Sequence, residues 1–124
     1  MAHRALIFGC EGAVLGDAES EFFRDADPLG FILFARNCEN RDQLSKLTAD
    51  LRQTVGRDDA PVLMDQEGGR VQRMKPPEWR NIPAPARFGD LYSKDPQSAL
   101  KAVRLNAQLI GAELREVGVD VNCS

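Results

Sequence analysis

The chain lacks several residue types that common functional sites need. It holds one histidine, His3, and three cysteines, Cys10, Cys38 and Cys123, with no C-x-x-C spacing. A single histidine at the start of the chain excludes a Ser-His-Asp triad or a histidine-bearing metal cluster within these residues. Because the cysteines are odd in number and widely spaced, we expect reduced thiols rather than a disulfide framework or a thiolate zinc site. No metal or organic cofactor is required by the residues present.

Long apolar runs and an excess of positive charge are also absent. The longest apolar stretches, residues 5–8 and 31–35, are far shorter than the roughly 20 residues that cross a bilayer, and the first is too short for a signal peptide. With 16 Lys and Arg against 19 Asp and Glu, the net charge is -3, which offers no basic surface to nucleic acid or an anionic membrane. We therefore expect neither partner, and the reduced thiols indicate a cytoplasmic protein. The sequence makes no prediction of oligomeric state.

The composition is that of one globular domain. The chain has 124 residues, of which 43% are hydrophobic and 28% charged. Four apolar, β-prone stretches occur at residues 4–8, 31–35, 61–64 and 119–122. They are continuous runs rather than alternating ones, as is typical of parallel strands that are covered on both faces.

Helical patterns separate these stretches. One helix is predicted to begin after Asp95, with Pro96 at its first position, and to end at Gly118. Another is predicted from residue 40 to Gly56, with a capping box formed by Asn40 and Gln43, and a shorter one over residues 17–25. Residues 76–85, rich in proline, are predicted to form a long connection. The resulting β-α-β-α-β-loop-α-β order indicates an α/β protein with parallel strands.

Two architectures fit this order. One is an open doubly wound sheet, which the length favours; the other is part of a (β/α)8 barrel, which takes about 250 residues when complete. The sequence ends directly after a strand-like stretch, which favours a barrel truncated after its fourth strand. In both architectures the carboxyl ends of the strands form the ligand-binding face. The polar residues at these ends are Glu11, Arg36, Asn37, Asp65, Glu67 and Asn122.

The densest group of chemically useful side chains follows the third strand. Residues 64–73 read Met-Asp-Gln-Glu-Gly-Gly-Arg-Val-Gln-Arg, and the Gly-Gly pair allows a tight turn. Carboxylates accept several hydrogen bonds and Arg donates five, so the group suits a ligand rich in vicinal hydroxyls, such as a sugar. The alternative is that Glu67 and Arg70 pair with each other on a solvated loop.

The string Asp-Gln-Glu-Gly-Gly-Arg-Val-Gln-Arg at residues 65–73 closely resembles the signature that follows the third strand in family 3 glycoside hydrolases. Residues 30–37, Gly-Phe-Ile-Leu-Phe-Ala-Arg-Asn, and residues 118–122, Gly-Val-Asp-Val-Asn, resemble the second and fourth strands of that family. The resemblance is closest to its bacterial β-N-acetylglucosaminidases. It implies that residues 1–124 are a single, incomplete N-terminal domain with about four βα units of a (β/α)8 TIM barrel.

The resemblance also implies a function. Such an enzyme removes terminal β-linked N-acetylglucosamine from peptidoglycan fragments, with retention, through a covalent glycosyl-enzyme. Asp65 resembles the carboxylate that accepts hydrogen bonds from the sugar hydroxyls, and Arg73 the guanidinium that reaches the same pocket. Gln66, Glu67 and Arg70 are expected to brace the loop. The family's nucleophile and its histidine acid/base lie later in the barrel, so we expect no catalytic residue in this chain and no turnover by it alone.

Other interpretations stay open from the sequence. Asp65 and Glu67 could form a glycosidase carboxylate pair, but their spacing of about 6 to 7 Å along an extended chain falls between the retaining and inverting ranges. The Gly-Gly turn also makes that geometry unreliable. The chain could also be a self-contained α/β ligand-binding module without catalysis. Gly9, Gly12 and Gly16 match no phosphate-binding pattern and indicate an ordinary turn.

Three single residues have two interpretations each. Trp79 is expected to pack against the barrel rim, with a sugar-stacking floor as the alternative. Arg36 is expected to face the pocket, where it either contacts substrate or pairs with a carboxylate. Cys123, without a histidine to activate it as a nucleophile, is expected to be buried as a small hydrophobic residue.

Overall fold

A computed structural model describes residues 2–124 and shows one parallel sheet with strand order β1-β2-β3-β4. The strands are β1 (Arg4–Phe8), β2 (Pro28–Leu33), β3 (Val62–Met64) and β4 (Val121–Asn122). The helices are α1 (Asp17–Ala26), α2 (Arg41–Val55), α3 (Pro85–Lys94) and α4 (Pro96–Glu116), with a short 3-10 helix at Ala35–Asn37. The predicted parallel α/β fold is confirmed.

The helix ends follow the predicted capping residues. Asn40 Oδ1 accepts the Gln43 N–H at 2.9 Å, and α2 ends at Gly56 with a left-handed φ of 66°. Asp95 accepts the Ser98 N–H at 3.2 Å at the start of α4, and Gly118 follows its end with φ 84°. Local hydrogen bonds thus fix the ends of both long helices.

The second strand lies earlier than predicted. It runs from Pro28 to Leu33, not over residues 31–35, and Ala35 belongs to the 3-10 helix. Pro28 fits the first position of a strand because it has no N–H to donate to the ladder. The side chain of Asn37 accepts the Phe34 N–H at 2.9 Å, so a side chain replaces the sheet as the partner of that group and the strand stops.

The last strand is shorter than predicted for a similar reason. Pairing between β3 and β4 joins Leu63 with Val121 and Met64 with Asn122 only. One residue earlier, Asp120 Oδ1 accepts the Val62 N–H at 2.8 Å while the Asp120 N–H donates to the Val62 carbonyl at 3.0 Å. The Asp120 side chain thus replaces a backbone carbonyl as the partner of the Val62 N–H, and the regular strand begins at the next residue.

Helix α3 was not predicted. Pro85 stands at its first position, but the preceding Ala84 supplies no side-chain cap. Gly89 lies in its middle, and no residue of the helix is buried. Pro85 and the apolar spacing of Phe88, Leu91 and Tyr92 are helical signals that the sequence analysis missed, and α3 packs along α4.

The core lies between the sheet and the helices that cover it. Its fully buried members include Phe31, Leu33 and Met64 from the strands and Leu44 and Leu51 from α2. β1 and β4 are the two edges of the sheet, and Leu6 and Ile7 on β1 stay 45% and 43% exposed. Among residues 2–124, no helix is long and apolar enough to cross a membrane.

Candidate functional site

The loop after β3 folds back on itself at the Gly-Gly pair. Gly68 has φ 110° and Gly69 has φ 64°, values that L side chains rarely adopt. The N–H groups of Glu67 and Gly68 both donate to the Val71 carbonyl, at 2.9 and 3.0 Å. A Cβ at Gly68 would lie 2.3 Å from the carbonyl oxygen of Pro83. The turn therefore needs glycine and returns residues 71–74 alongside residues 65–67.

This turn brings together the two residues to which the resemblance gives a sugar-binding role. A terminal nitrogen of Arg73 lies 3.0 Å from Asp65 Oδ2. Both side chains are about one quarter exposed, 25% for Asp65 and 26% for Arg73. The pair is thus shielded from bulk water on most sides but open on one, at the carboxyl end of β3, where a ligand can reach it.

Gln66 braces the loop, as predicted. Its side chain is fully buried, and its Oε1 accepts the N–H groups of Arg73 and Met74 at 2.8 and 3.2 Å. Its Nε2 donates to the Met74 carbonyl at 3.1 Å. The Gln66 amide therefore satisfies backbone hydrogen bonds of residues 73 and 74, as a neighbouring strand would. These bonds fix the backbone that carries the Arg73 side chain.

Gln72 is a second brace that the sequence analysis missed. It is 3% exposed, and its Nε2 donates to the carbonyls of Met74 and Arg80 at 2.7 and 2.8 Å. Its Oε1 accepts the Ile82 N–H at 3.1 Å. The available signal was an amide side chain beside a Gly-Gly turn, since amides can satisfy both donors and acceptors of buried backbone.

Phe34 and the guanidinium groups of Arg36 and Arg73 form a cluster at the ends of β2 and β3. The Cζ atoms of Arg36 and Arg73 lie 4.9 and 5.6 Å from the centroid of the Phe34 ring, within the range of a cation–π contact. Arg36 Nε also donates to the Cys10 carbonyl at 3.1 Å. Arg36 forms no ion pair with a carboxylate of residues 2–124. The alternative that Arg36 pairs with a carboxylate is therefore wrong for this part of the chain.

Asn37 has a structural role. It is fully buried, and its Nδ2 donates to the carbonyls of Cys10 and Gly12 at 3.2 and 2.7 Å. These bonds tie the loop after β1 to the end of β2. Glu11, in the same loop, is exposed, and its backbone N–H donates to the Glu19 carboxylate at 2.9 Å.

Glu67 and Arg70 do not pair with each other or with another charged group among the described residues. Arg70 is exposed and its side chain does not brace the loop, whereas Glu67 does so through its backbone. The Glu67 side chain lines a cavity of about 450 Å³ with Asn122 and apolar residues of α3 and α4. Asp65, which pairs with Arg73, does not line this cavity.

Trp79 packs in the core. It is 3% exposed and belongs to the main apolar cluster, and the Cζ of Arg41 lies 5.8 Å from its ring. A buried ring cannot stack on a sugar, so the sugar floor is wrong; the ring packs as expected, but in the main apolar cluster.

The three cysteines are free thiols in different environments. Burial raises the pKa of Cys10 to about 11 and that of Cys38 to about 12, which keeps both thiols protonated at neutral pH. Cys123 is exposed, so the expectation that it is buried is wrong: it follows β4, where no helix or strand of residues 2–124 covers it. Within the described chain, no group of three or more His, Cys, Asp and Glu is placed to hold a metal ion.

A parallel α/β sheet with a partly buried carboxylate and guanidinium at its strand ends defines the class: an α/β protein with its ligand face at those ends. The particular family follows from comparison. The profile described as "Glycosyl hydrolase family 3 N terminal domain" matches residues 15–124, and the chain belongs to that family.

Curated relatives and solved structures agree. The chain is 41% identical over 120 residues to a beta-hexosaminidase of Xanthomonas euvesicatoria, a match that covers 94% of this chain and 34% of that protein. NagZ from Neisseria gonorrhoeae, solved in complex with N-trifluoroacetyl-D-glucosamine, superimposes with a TM-score of 0.90 at 28% identity, over 98% of this chain and 36% of that one. A family 3 beta-N-acetylglucosaminidase from Paenibacillus gives a TM-score of 0.78 at 28% identity, over 97% and 22%.

The chain spans about a third of the length of the curated relatives it matches. The fold expected from the resemblance, the N-terminal βα units of a (β/α)8 barrel, is confirmed by the superposition on NagZ.

Proposed function

We propose that this chain is the sugar-binding N-terminal portion of a glycoside hydrolase that removes terminal β-linked N-acetylglucosamine. The single observation that carries the proposal is the contact of 3.0 Å between Arg73 and Asp65 at the carboxyl end of β3. The names of the relatives support the reaction class, since they include beta-hexosaminidase and beta-N-acetylglucosaminidase.

The geometry of the pair suits a sugar with neighbouring hydroxyls. Asp65 Oδ2 is occupied by Arg73, and the remaining lone pairs of the carboxylate can accept from one hydroxyl. The guanidinium has further N–H groups that can donate to the oxygen of the next hydroxyl. Because the pair is preorganised by Gln66, little side-chain entropy is lost when the sugar binds.

In this proposal the pair binds and orients the sugar, and the bond-breaking groups lie outside these residues, as the motif resemblance implies. A retaining glycosidase needs a nucleophile and an acid/base on opposite sides of the scissile bond. Asp65 pairs with Arg73, and Glu67 lines a cavity that does not include Asp65, so the proposal gives neither carboxylate these two roles. The chain alone is therefore expected to bind the sugar without cleaving it.

The finer parts of the proposal rest on the motif resemblance. The substrate is proposed to be a peptidoglycan fragment and the compartment the cytoplasm, for which the free thiols of Cys10, Cys38 and Cys123 are suited.

The test uses 4-nitrophenyl N-acetyl-β-D-glucosaminide with the purified chain. Saturation-transfer NMR is expected to show transfer of saturation from the chain to the sugar protons, which reports binding. Absorbance at neutral pH is expected to show no release of 4-nitrophenol. The control ligand is 4-nitrophenyl β-D-galactoside, which lacks the N-acetyl group and has one hydroxyl inverted. It is expected to bind more weakly. Turnover that persists after contaminating enzymes are removed would contradict the division of roles, and no binding would contradict the sugar site.

A further inference from the structure

The loop after β3 and the helices α3 and α4 line a cavity of about 450 Å³ that reaches the end of β4. Its wall is mostly apolar and includes Phe88 of α3 and Ile110 and Leu114 of α4. The volume lies within the range of about 300–1,000 Å³ that is usual for small-molecule sites. Asp65 and Arg73 do not line this cavity, so the proposed sugar contact does not account for it.

The room in the cavity comes from small residues on α4. Ala107 and Gly111 lie one helical turn apart, and both line the cavity. Gly111 is in the interior of α4, where glycine is less favourable than alanine. A Cβ at Gly111 would meet no atom within 4 Å. Close packing therefore does not require glycine here, and the space beside it is open.

Glu67 gives the cavity its charge. It is the only lining residue of the described chain with an ionisable side chain, and no Lys or Arg lines the cavity. Glu67 is partly buried, and its carboxylate forms no ion pair within residues 2–124. Its backbone is fixed, because its N–H donates to the Val71 carbonyl at 2.9 Å. A carboxylate in apolar surroundings is costly without a partner, so the cavity favours a ligand that brings a positive charge.

We propose that this cavity binds a small organic amine, with the apolar body of the ligand against α3 and α4 and its ammonium group paired with Glu67. The ammonium group donates charge-assisted hydrogen bonds to the carboxylate. The apolar body gains free energy when it leaves water for the apolar wall. The proposal does not depend on the sugar-binding role of Asp65 and Arg73, and it adds a second ligand site to the chain.

The test compares two probes of the same shape, 2-(1-naphthyl)ethylamine and 2-(1-naphthyl)ethanol. Each is titrated into the 124-residue chain at neutral pH and low salt, and saturation-transfer NMR measures its affinity. The amine is expected to bind about tenfold more tightly than the alcohol, the size expected for one charge-assisted hydrogen bond. This comparison uses the unmodified chain, so it needs no variant to fold.

One pair of variants tests the charge. Glu67→Gln keeps the shape of the side chain and removes its charge, so the amine is expected to bind no more tightly than the alcohol. Glu39→Gln is the matched control, because Glu39 is exposed and forms no ion pair within the described residues. It is expected to keep the preference for the amine.

A second pair of variants tests the place of binding. Gly111→Leu is expected to weaken the binding of both probes by about tenfold or more, because the leucine takes the space of the apolar body. Ala112→Leu adds the same side chain at the next position of α4, which is exposed and does not line the cavity. It is expected to leave both affinities unchanged, and circular dichroism checks that the two variants fold alike.

Three results would overturn the proposal. Equal affinities of the unmodified chain for the amine and the alcohol, or no binding of either, would remove the role of Glu67. Binding of the amine that survives Gly111→Leu would place the amine outside this cavity. If Gly111→Leu instead abolishes self-association in sedimentation velocity without weakening the amine, a second copy of the chain covers the cavity and the amine does not.

Discussion

Asn122 and Gln66 are joined by two hydrogen bonds that run in opposite directions. Asn122 Oδ1 accepts the Gln66 N–H at 2.9 Å, and Asn122 Nδ2 donates to the Gln66 carbonyl at 3.0 Å. The two strands pair as far as Met64 and Asn122. The side chain of Asn122 therefore extends the β3–β4 contact beyond the ladder, into the loop that carries Asp65.

Removal of this bridge is expected to destabilise the chain. Asn122→Ala leaves the N–H and C=O of Gln66 without partners, so we expect the free energy of unfolding to fall by about 1–3 kcal/mol. Urea denaturation followed by circular dichroism measures the change. Asn81→Ala is the matched control, because Asn81 is exposed, and it is expected to stay within about 0.5 kcal/mol of the unmodified chain. A loss no larger than that of the control would show that the bridge is not stabilising.

The Gly-Gly turn gives a second prediction. Gly68→Ala places a Cβ 2.3 Å from the Pro83 carbonyl oxygen at φ 110°, so we expect a destabilisation of about 1–3 kcal/mol or more and a loss of sugar binding as the loop shifts. Gly89→Ala, in the exposed part of α3, meets nothing within 4 Å and is expected to stabilise the chain by about 0.5–1 kcal/mol. Thermal unfolding of the two variants measures whether each change lowers or raises stability. Equal changes in stability would contradict the backbone conformation at Gly68.

The cysteines give a prediction on reactivity. At pH 8, iodoacetamide is expected to label the native chain once, at Cys123, because burial keeps Cys10 and Cys38 as protonated thiols. In denaturant all three cysteines are expected to react. Intact-mass spectrometry counts the labels, and Cys123→Ser is expected to leave the native chain unlabelled. Rapid native labelling of Cys10 or Cys38 would contradict their burial.

The same thiols set the direction of a pH dependence. Their pKa values in the folded chain, about 11 and 12, lie above the ordinary value of 9.0. The unfolded chain therefore loses these protons first, and stability is expected to fall as the pH rises above about 9. Urea midpoints at pH 8 and pH 10 measure this. The double variant with Cys10→Ala and Cys38→Ala is expected to show a smaller fall, and an unchanged fall would assign the effect to other groups.

The edges of the sheet predict self-association of the isolated chain. β1 exposes Leu6 and Ile7, and β4 exposes Val121 to 39%. Unpaired edges with apolar side chains tend to pair with other chains, so we expect dimers or larger species in sedimentation velocity. Ile7→Lys is expected to reduce them, and Val14→Lys, at a position 72% exposed in the loop after β1, serves as the control. A monomer at all concentrations would contradict this prediction.

The parts of the fold that local chemistry determines could be predicted from the sequence. The capping box at Asn40 and the glycine at Gly118 located α2 and α4, and the apolar runs located four parallel strands. The boundaries of β2 and β4 were wrong because the side chains of Asn37 and Asp120 take over backbone hydrogen bonds. Hydrogen bonds in which a side chain replaces a neighbouring strand depend on tertiary contacts, so they leave no periodic pattern in the sequence.

The site shows the same division. The motif predicted that Asp65 and Arg73 would lie together and that Gln66 would brace them, and the geometry agrees. The roles of Gln72 and Asn122 could not be predicted, because each amide bonds a segment that only the folded chain brings close. Helix α3 was missed although Pro85 at its first position and the apolar spacing of Phe88, Leu91 and Tyr92 indicate a helix.

The central claim is that Asp65 and Arg73 form a hydroxyl-binding corner for N-acetylglucosamine, and its most direct test is the affinity of Asp65→Asn for this sugar by calorimetry. The change removes a charge and keeps the shape, and we expect a loss of about 10- to 100-fold, as for a hydrogen bond to a charged group. Asp58→Asn, at an exposed position, is expected to bind as the unmodified chain does. Equal affinities of Asp65→Asn and the unmodified chain for N-acetylglucosamine would contradict the account.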